Sequence, residues 1–269
     1  MRTLVHLSDL HFGRVDPRVV PPLVETIRTI APDLIAVSGD FTQRARRGQF
    51  VQARAFLQQL PYPRLVVPGN HDVPLYNLAA RFTRPLAGYR RFIEPDLEPA
   101  FVDEEIHVVG LNSARPLPFG GGGRLNEGQV RRAAARLKSA ASHVVKIVVT
   151  HHPFDLPEGH DEAHLIGRST MAMEQLAAVG ADLFLAGHLH VSHIGRTADR
   201  YQIAGHAALV VQAGTMSTRE RGEPNSFNVL RLARPRITIE RYAWDTKQQT
   251  FHESWSETFQ HTPEGWIRR

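Results

Sequence analysis

Arg64-Leu65-Val66-Val67-Pro68-Gly69-Asn70-His71-Asp72 is the stretch from which the fold is read. An apolar run that stops at a Pro and a Gly turn predicts a buried strand with Asn70, His71 and Asp72 presented at its C-terminal edge. The arrangement recurs. Apolar strands lead to Asp9-Leu10-His11, to Gly39-Asp40, to Thr150-His151-His152-Pro153 and to Gly187-His188-Leu189-His190. Five strand ends carrying Asp, His or Asn are how a parallel α/β sheet builds a metal site along its C-terminal rim.

Outward from these ends the chain alternates strand and helix. Residues 3–7, 34–38, 106–111, 144–149 and 182–186 read as further strands. Apolar residues at Val20, Leu23, Val24, Ile27 and Ile30 predict a helix within 17–30, and Phe50, Ala53, Phe56, Leu57 and Leu60 predict another over 49–60. Residues 76–93 are expected to be helical with a break at Pro85 and Gly88. Asn126 with Gln129 predicts a capping box that opens a helix to about 141, and Ser169 is expected to cap a helix through 179. The Gly run 119–124 lacks the Lys-Ser/Thr ending of a P-loop and reads as a flexible loop. Residues 155–167 are polar and Pro/Gly-punctuated, a candidate active-site loop.

Past His190 the texture changes. Residues 191–203, 208–213, 227–232 and 237–244 read as short strands of a second, partly antiparallel sheet. We expect one domain over 1–269. Within it lie a parallel metal-site half to about 190, a second-sheet half over 191–250, and a C-terminal tail, 251–269. The tail carries Trp255, Phe259 and Trp266 with little period and is expected to pack on the core or to form a homo-oligomer contact.

The 269 residues are 42% hydrophobic and 22% charged, an ordinary globular composition. No apolar run reaches spanning length, so no transmembrane segment is expected. Residues 1–7 lead straight into the first motif, where a cleaved leader would remove functional residues, so a cytoplasmic location is expected. With no Cys, metal binding falls to His and oxygen ligands. The net charge of +5 suits an anionic substrate. The arginines of 131–138 read as a solvated helix face, and no stable nucleic-acid partner is expected.

Asp9, His11, Asp40, Asn70, His151, His188 and His190 together offer two carboxylates, one amide oxygen and four imidazoles. A carboxylate can bridge two cations, and this mixture suits first-row divalent metals. Seven such ligands exceed the need of one metal. They match two metals about 3.5–4 Å apart, an arrangement that drives attack of a bound hydroxide on phosphorus. His6 reads as a packed core residue, Asp72 as a turn-stabilising side chain and His152 as a neighbour of the ligands rather than one of them.

The ordered set Asp-x-His, Gly-Asp, Gly-Asn-His-Asp, His-x-Pro and Gly-His-x-His resembles the calcineurin-like metallophosphoesterase superfamily over residues 3 to about 215. The resemblance implies an α/β fold: a four-layer α/β/β/α sandwich of two mixed sheets, with a dinuclear centre of Mn, Fe or Zn between them. It also implies that Asp9, His11 and His190 hold one metal, that Asn70, His151 and His188 hold the other, and that Asp40 bridges. His71 then stands beside the metals as the catalytic acid, since an alkoxide leaving group needs a proton donor within reach. The motif wording is similar to bacterial cyclic-nucleotide phosphodiesterases and glycerophosphodiesterases, which implies a small phosphodiester substrate. The polar segment after the last motif reads either as a wall of the substrate cleft, with Arg219 or Arg221 pairing with a phosphate, or as a solvated hairpin turn. A pyrophosphohydrolase of a nucleotide-linked or lipid substrate such as UDP-diacylglucosamine is the alternative, with residues 76–92 as its apolar groove. A metal-free scaffold of the same fold is the non-enzymatic alternative, and the complete ligand set argues against it.

Overall fold

The structure is a computed structural model that describes residues 1–61, 63–117, 122–201, 203, 207–219 and 221–269. The chain begins with β1 (Arg2–Leu7), α1 (Val20–Ile30), β2 (Leu34–Ser38), α2 (Arg47–Leu57) and β3 (Arg64–Val67). Two short helices follow, α3 (Leu78–Thr83) and α4 (Ala87–Phe92), split where Pro85 cannot continue a helix. Next come β4 (Ala100–Val102), β5 (Ile106–Gly110), α5 (Glu127–Lys138), β6 (Val145–Val149), α6 (Ser169–Ala177) and β7 (Leu183–Ala186). The remainder is β8 (His193–Arg196), a single turn α7 (Thr197–Arg200), β9 (Leu209–Gln212), β10 (Ser226–Ala233), β11 (Arg236–Asp245), β12 (Thr250–Thr262) and β13 (Gly265–Arg268).

The strands form two mixed sheets, one of order β13-β12-β11-β10-β1-β2-β3 and one of order β4-β5-β6-β7-β9-β8. Because side chains alternate across a strand, each sheet has two apolar faces here. Leu4, Leu34, Ala36 and Leu65 of the first sheet meet Val108, Ile147, Leu185 and Val211 of the second in the central core. Val5, Ile35 and Val37 point the other way, under Leu23, Ile27, Phe50 and Phe56 of α1 and α2. Val148, Phe184 and Val210 are covered by Val130, Leu137, Met173 and Leu176 of α5 and α6. The result is the expected four-layer α/β/β/α sandwich. Strands β1, β2 and β3 run parallel, as do β5, β6, β7 and β9, so their C-terminal ends can converge.

The division between the sheets differs from the expected one. Residues 191–250 do not make the second sheet: β8 and β9 extend the sheet of β5–β7, whereas β10 returns to pair antiparallel with β1. The second sheet begins at β4 instead. The 251–269 tail is regular as well, with β12 and β13 closing the edge of the first sheet and burying Phe259 and Trp266, while Trp255 is partly exposed. Among the described residues of 191–203, His193–Arg196 form a four-residue strand and Thr197–Arg200 one helical turn. Ser169 lies inside α6 rather than capping it; the cap position is Arg168, in left-handed conformation with no side-chain bond. The Asn126–Gln129 capping box is present on α5. The predicted glycine loop lies partly outside the described residues. Among the described residues no helix is long and apolar enough to cross a membrane.

Candidate metal centre

The first connections after β1 and β2 lock together through Asp9 N–H to Gly39 O (3.1 Å) and His11 N–H to Asp40 O (2.8 Å). The second sheet is tied to them by the His188 amide, which donates to Asp9 Oδ2 at 2.9 Å, and by Thr215 Oγ, which donates to Asp9 O at 2.9 Å. All eight residues nominated from the sequence therefore stand in one cluster at the sheet rim: Asp9, His11, Asp40, Asn70, His71, His151, His188 and His190.

Each carboxylate is held by one oxygen and presents the other. Asp9 Oδ2 accepts from Ser8 Oγ (2.6 Å) and the His188 amide; buried Oδ1 makes no well-formed hydrogen bond and faces His11 Nε2 at 3.4 Å and His190 Nε2 at 3.2 Å. Asp40 Oδ1 accepts from the His71 amide at 2.8 Å, while Oδ2 stands 3.5 Å from His11 Nε2 and 3.4 Å from His151 Nε2. Backbone carbonyls set the imidazoles. His151 Nδ1 donates to Ser38 O (2.7 Å) and His190 Nδ1 to Arg219 O (2.8 Å), so each turns the lone pair of Nε2 inward. His151 Nε2 then lies 3.0 Å from Asn70 Oδ1, His188 Nδ1 lies 3.2 Å from that same oxygen, and His190 Nε2 lies 3.0 Å from His11 Nε2.

Lone pairs converging at these distances repel unless a cation lies among them. Bonds of about 2.1 Å put adjacent ligand atoms about 3.0 Å apart in an octahedron and about 3.4 Å apart in a tetrahedron. The observed spacings match both, so the donor set fits first-row divalent metals. Four overlapping groups have this geometry: Asp9/His11/His190, Asp9/Asp40/His151, His11/Asp40/His71 and His151/His152/His188.

The electrostatics have the same sense. Burial would lower His151, but Asp40 beside it overrides that and pushes the imidazole up to about 9. Burial would raise Asp9, yet the facing His190 and His11 hold its carboxyl well below the usual range. His188, buried and beside His152 and His151, is held well below an ordinary histidine. The backbone is strained at the same places. Asp9, His11, Asp40, His188 and His190 all have positive φ, between 45° and 76°, and they make up five of the nine non-glycine residues in that region among those described. Each costs of order 1 kcal/mol or more, tolerated where surrounding structure over-determines the conformation. A Cβ on Gly187 would lie 1.7 Å from Ser8 Oγ and 2.4 Å from Asp9 Oδ2, so only glycine lets the two sheets approach there.

His71 stands at the mouth. Its Nδ1 donates to Gln43 O at 2.8 Å, which leaves Nε2 facing the cluster beside Arg219 Nη1 at 3.0 Å. Arg219 Nη1 is also 3.4 Å from His11 Nε2. Arg44 Nη1 lies 3.1 Å from His71 Nδ1 and donates to Gln43 O at 2.8 Å. Asp72 accepts from the amides of Gly69, Phe41 and Thr42, the expected turn role. His6 is buried on Ser38 Oγ (2.9 Å). His152 is buried 2.8 Å from Ser113 Oγ with its ring 4.6 Å from that of His188. His193 turns away to Asp155 at 3.3 Å, and His206 lies outside the described residues. His164, Gln43 and Arg44 are contributors that sequence reasoning missed. His164 Nδ1 meets His188 Nε2 at 3.0 Å from within the 155–167 segment, but nothing in that polar stretch distinguishes it.

Residues 2–192 match the sequence profile of a family described as "Calcineurin-like phosphoesterase". The chain is 28% identical over 165 residues to "Glycerophosphodiester phosphodiesterase GpdQ" of Enterobacter lignolyticus, covering 57% of this chain and 58% of that protein. It is 27% identical over 161 residues to a Synechococcus sp. protein named "Probable cyclic nucleotide phosphodiesterase", covering 56% and 58%. The chain thus spans less than two thirds of either relative. Among solved structures it superposes on PhoD with a TM-score of 0.74 at 10% identity, covering 99% of this chain and 71% of that one. A dimetal phosphatase from Danio rerio gives 0.67 at 13% identity, covering 97% and 99%. At such identities these two show a shared fold.

Proposed function

This chain belongs to the calcineurin-like phosphoesterase family, and from that premise we propose that it is a dinuclear metal-dependent phosphodiesterase acting on a small diester, a cyclic nucleotide or a glycerophosphodiester. The observation that carries the reading is Asp40 Oδ2, which stands 3.5 Å from His11 Nε2 and 3.4 Å from His151 Nε2 and so faces both halves of the ligand cluster. Asp9, His11 and His190 would hold one divalent ion, Asn70, His151 and His188 the other, with Asp40 shared. When bound, such a pair supplies Lewis-acid charge for the phosphoryl oxygens and an activated water at neutral pH. The names of the two relatives, a glycerophosphodiesterase and a cyclic nucleotide phosphodiesterase, support the choice of a diester.

The chain's own residues do the rest. Asp40 and Asp9 are oriented by the His71 amide, Ser8 and the His188 amide. The Gln43 carbonyl accepts from His71 Nδ1–H and so aims Nε2 at the leaving oxygen, to which the ring, when it carries both protons, gives the one on Nε2. Arg219 Nη1, between His71 and His11, meets a phosphoryl oxygen and strengthens its hold as charge develops there. We place the protein in the cytoplasm, with Mn, Fe or Zn as its metal.

The test is hydrolysis of bis(p-nitrophenyl) phosphate against p-nitrophenyl phosphate, on metal-stripped protein with Mn restored. Diester turnover well above monoester supports the proposal. Monoester turnover alone replaces it with a phosphatase.

A further inference from the structure

Arg44, Arg219 and Arg221 stand on segments beside the ligand cluster, and among the described residues none of them is engaged in an ion pair. Arg44 and Arg219 touch the two nitrogens of one imidazole, Arg44 at His71 Nδ1 (3.1 Å) and Arg219 at His71 Nε2 (3.0 Å). Among the described residues no carboxylate forms an ion pair with Arg44, Arg219 or Arg221, although Arg200, Arg231 and Arg241 each have one. Arg219 is depressed first by its own burial; Asp40 and Asp9 oppose this, and Arg221 and Arg44 add to it by repulsion, so Arg221 and Arg44 each lie within electrostatic reach of Arg219. Arg46 and Arg47, exposed at the start of α2, continue the basic run.

A simple diester does not call for this much charge. The centre holds two carboxylates, Asp9 and Asp40, and two divalent cations more than balance them together with a single negative phosphodiester. Guanidinium groups that make no ion pair with a carboxylate, in a fork geometry suited to phosphate, are a phosphate-binding arrangement. Position specifies which phosphate. Arg219 reaches the side of His71 that faces the ligand cluster. Arg44 lies on the far side of the ring, farther out by one imidazole width and a hydrogen bond of about 3 Å. That offset corresponds to two phosphates carried on one sugar.

Resting on the phosphodiesterase reading, we infer that Arg44 and Arg221 form a second phosphate subsite, so that the substrate is a nucleotide carrying a further phosphate beyond the scissile one. Arg219 stays with the reacting phosphoryl group, and the outer pair holds the additional dianion farther from the ligand cluster, beyond the His71 ring.

Binding tests this without turnover. The dissociation constants of adenosine 5′-monophosphate and adenosine 3′,5′-bisphosphate are measured by calorimetry on Mn-loaded protein, with Arg44→Gln and Arg221→Gln alongside. A charge-assisted phosphate contact predicts that the bisphosphate binds at least about tenfold more tightly than the monophosphate. The ratio should shrink in both variants and in 0.5 M salt, roughly three times the physiological ionic strength, which screens such contacts. Arg221 is exposed and does not touch His71, so its variant still reports if Arg44→Gln fails to fold. Equal affinity for the two nucleotides overturns the inference, as does a preference that survives both substitutions. A preserved preference in a protein inactive on bis(p-nitrophenyl) phosphate would sink the phosphodiesterase reading and leave the subsite standing.

Discussion

Gly69→Ala should disable the metal centre without touching a ligand. Gly69 has φ −105° and ψ 179°, extended backbone open to any residue, so strain is not the issue. Space is the issue: a Cβ there would sit 2.1 Å from Asp40 Oδ1, 2.4 Å from Asp40 N and 2.7 Å from Asp40 Cγ. Restoring ordinary contact requires a shift of more than about 1 Å. The carboxylate cannot swing freely, because Oδ1 is held by the His71 amide at 2.8 Å and the side chain is buried. Metal sites tolerate only about 0.2 Å in ligand distance. The shared oxygen would therefore leave both halves of the centre at once. Overpacking of this kind costs about 1–3 kcal/mol, or a fall of several degrees in Tm for a chain of this size. Gly48, in the first turn of α2 with nothing within 4 Å of its Cβ, is the control. Gly48→Ala should be neutral or stabilise by about 0.5–1 kcal/mol. The assay is metal content after gel filtration in trace Mn, with thermal melting. A Gly69→Ala protein that keeps two metals per chain and wild-type diester turnover would refute the claim that Asp40 is held in place by this contact.

Three further outcomes follow from the geometry. His71→Ala should keep its metal, because the His71 contribution to Asp40 is a backbone amide, yet lose about 10²–10⁴-fold in turnover of diesters with poor leaving groups; metal loss would make His71 a ligand. His6 is buried with its pKa lowered from 6.5 to about 3, so between those values the unfolded chain takes up a proton that the folded one refuses, and stability falls as pH falls. From pH 7.5 to 5 that loss is about 2 kcal/mol, and His6→Gln should remove it from the denaturation profile; an unchanged profile would contradict the assignment. Ser8→Ala frees Asp9 Oδ2 from its 2.6 Å bond and should weaken metal affinity about 10–100-fold while leaving the fold intact, measured by competition with a chelator.

The ligand set was legible because its chemistry is written in residue type and position: each of Asp9, Asp40, Asn70, His151 and His188 follows an apolar strand by a few residues, and parallel strands bring such ends to one rim. The pairing of strands was not legible. Alternation identifies β10 as a strand, but nothing in it says that Leu230 lies opposite Leu4 rather than in the second sheet. In β12, residues 252–256 are exposed on both faces, so the period that marks a strand is missing. The three-residue edge strand β4 is mostly exposed and too short to show one. Gln43, Arg44 and His164 enter the site through the path of loops, which depends on contacts far away in the chain. The Gln43 contribution is a backbone carbonyl, for which no residue type is a signal.

Anomalous diffraction from crystals grown with Mn tests most directly whether Asp40 is shared by two metals. Two peaks about 3.5–4 Å apart are expected on either side of Asp40 Oδ2, one among Asp9, His11 and His190 and one among Asn70, His151 and His188. A single peak, or two peaks that do not share Asp40, would contradict it.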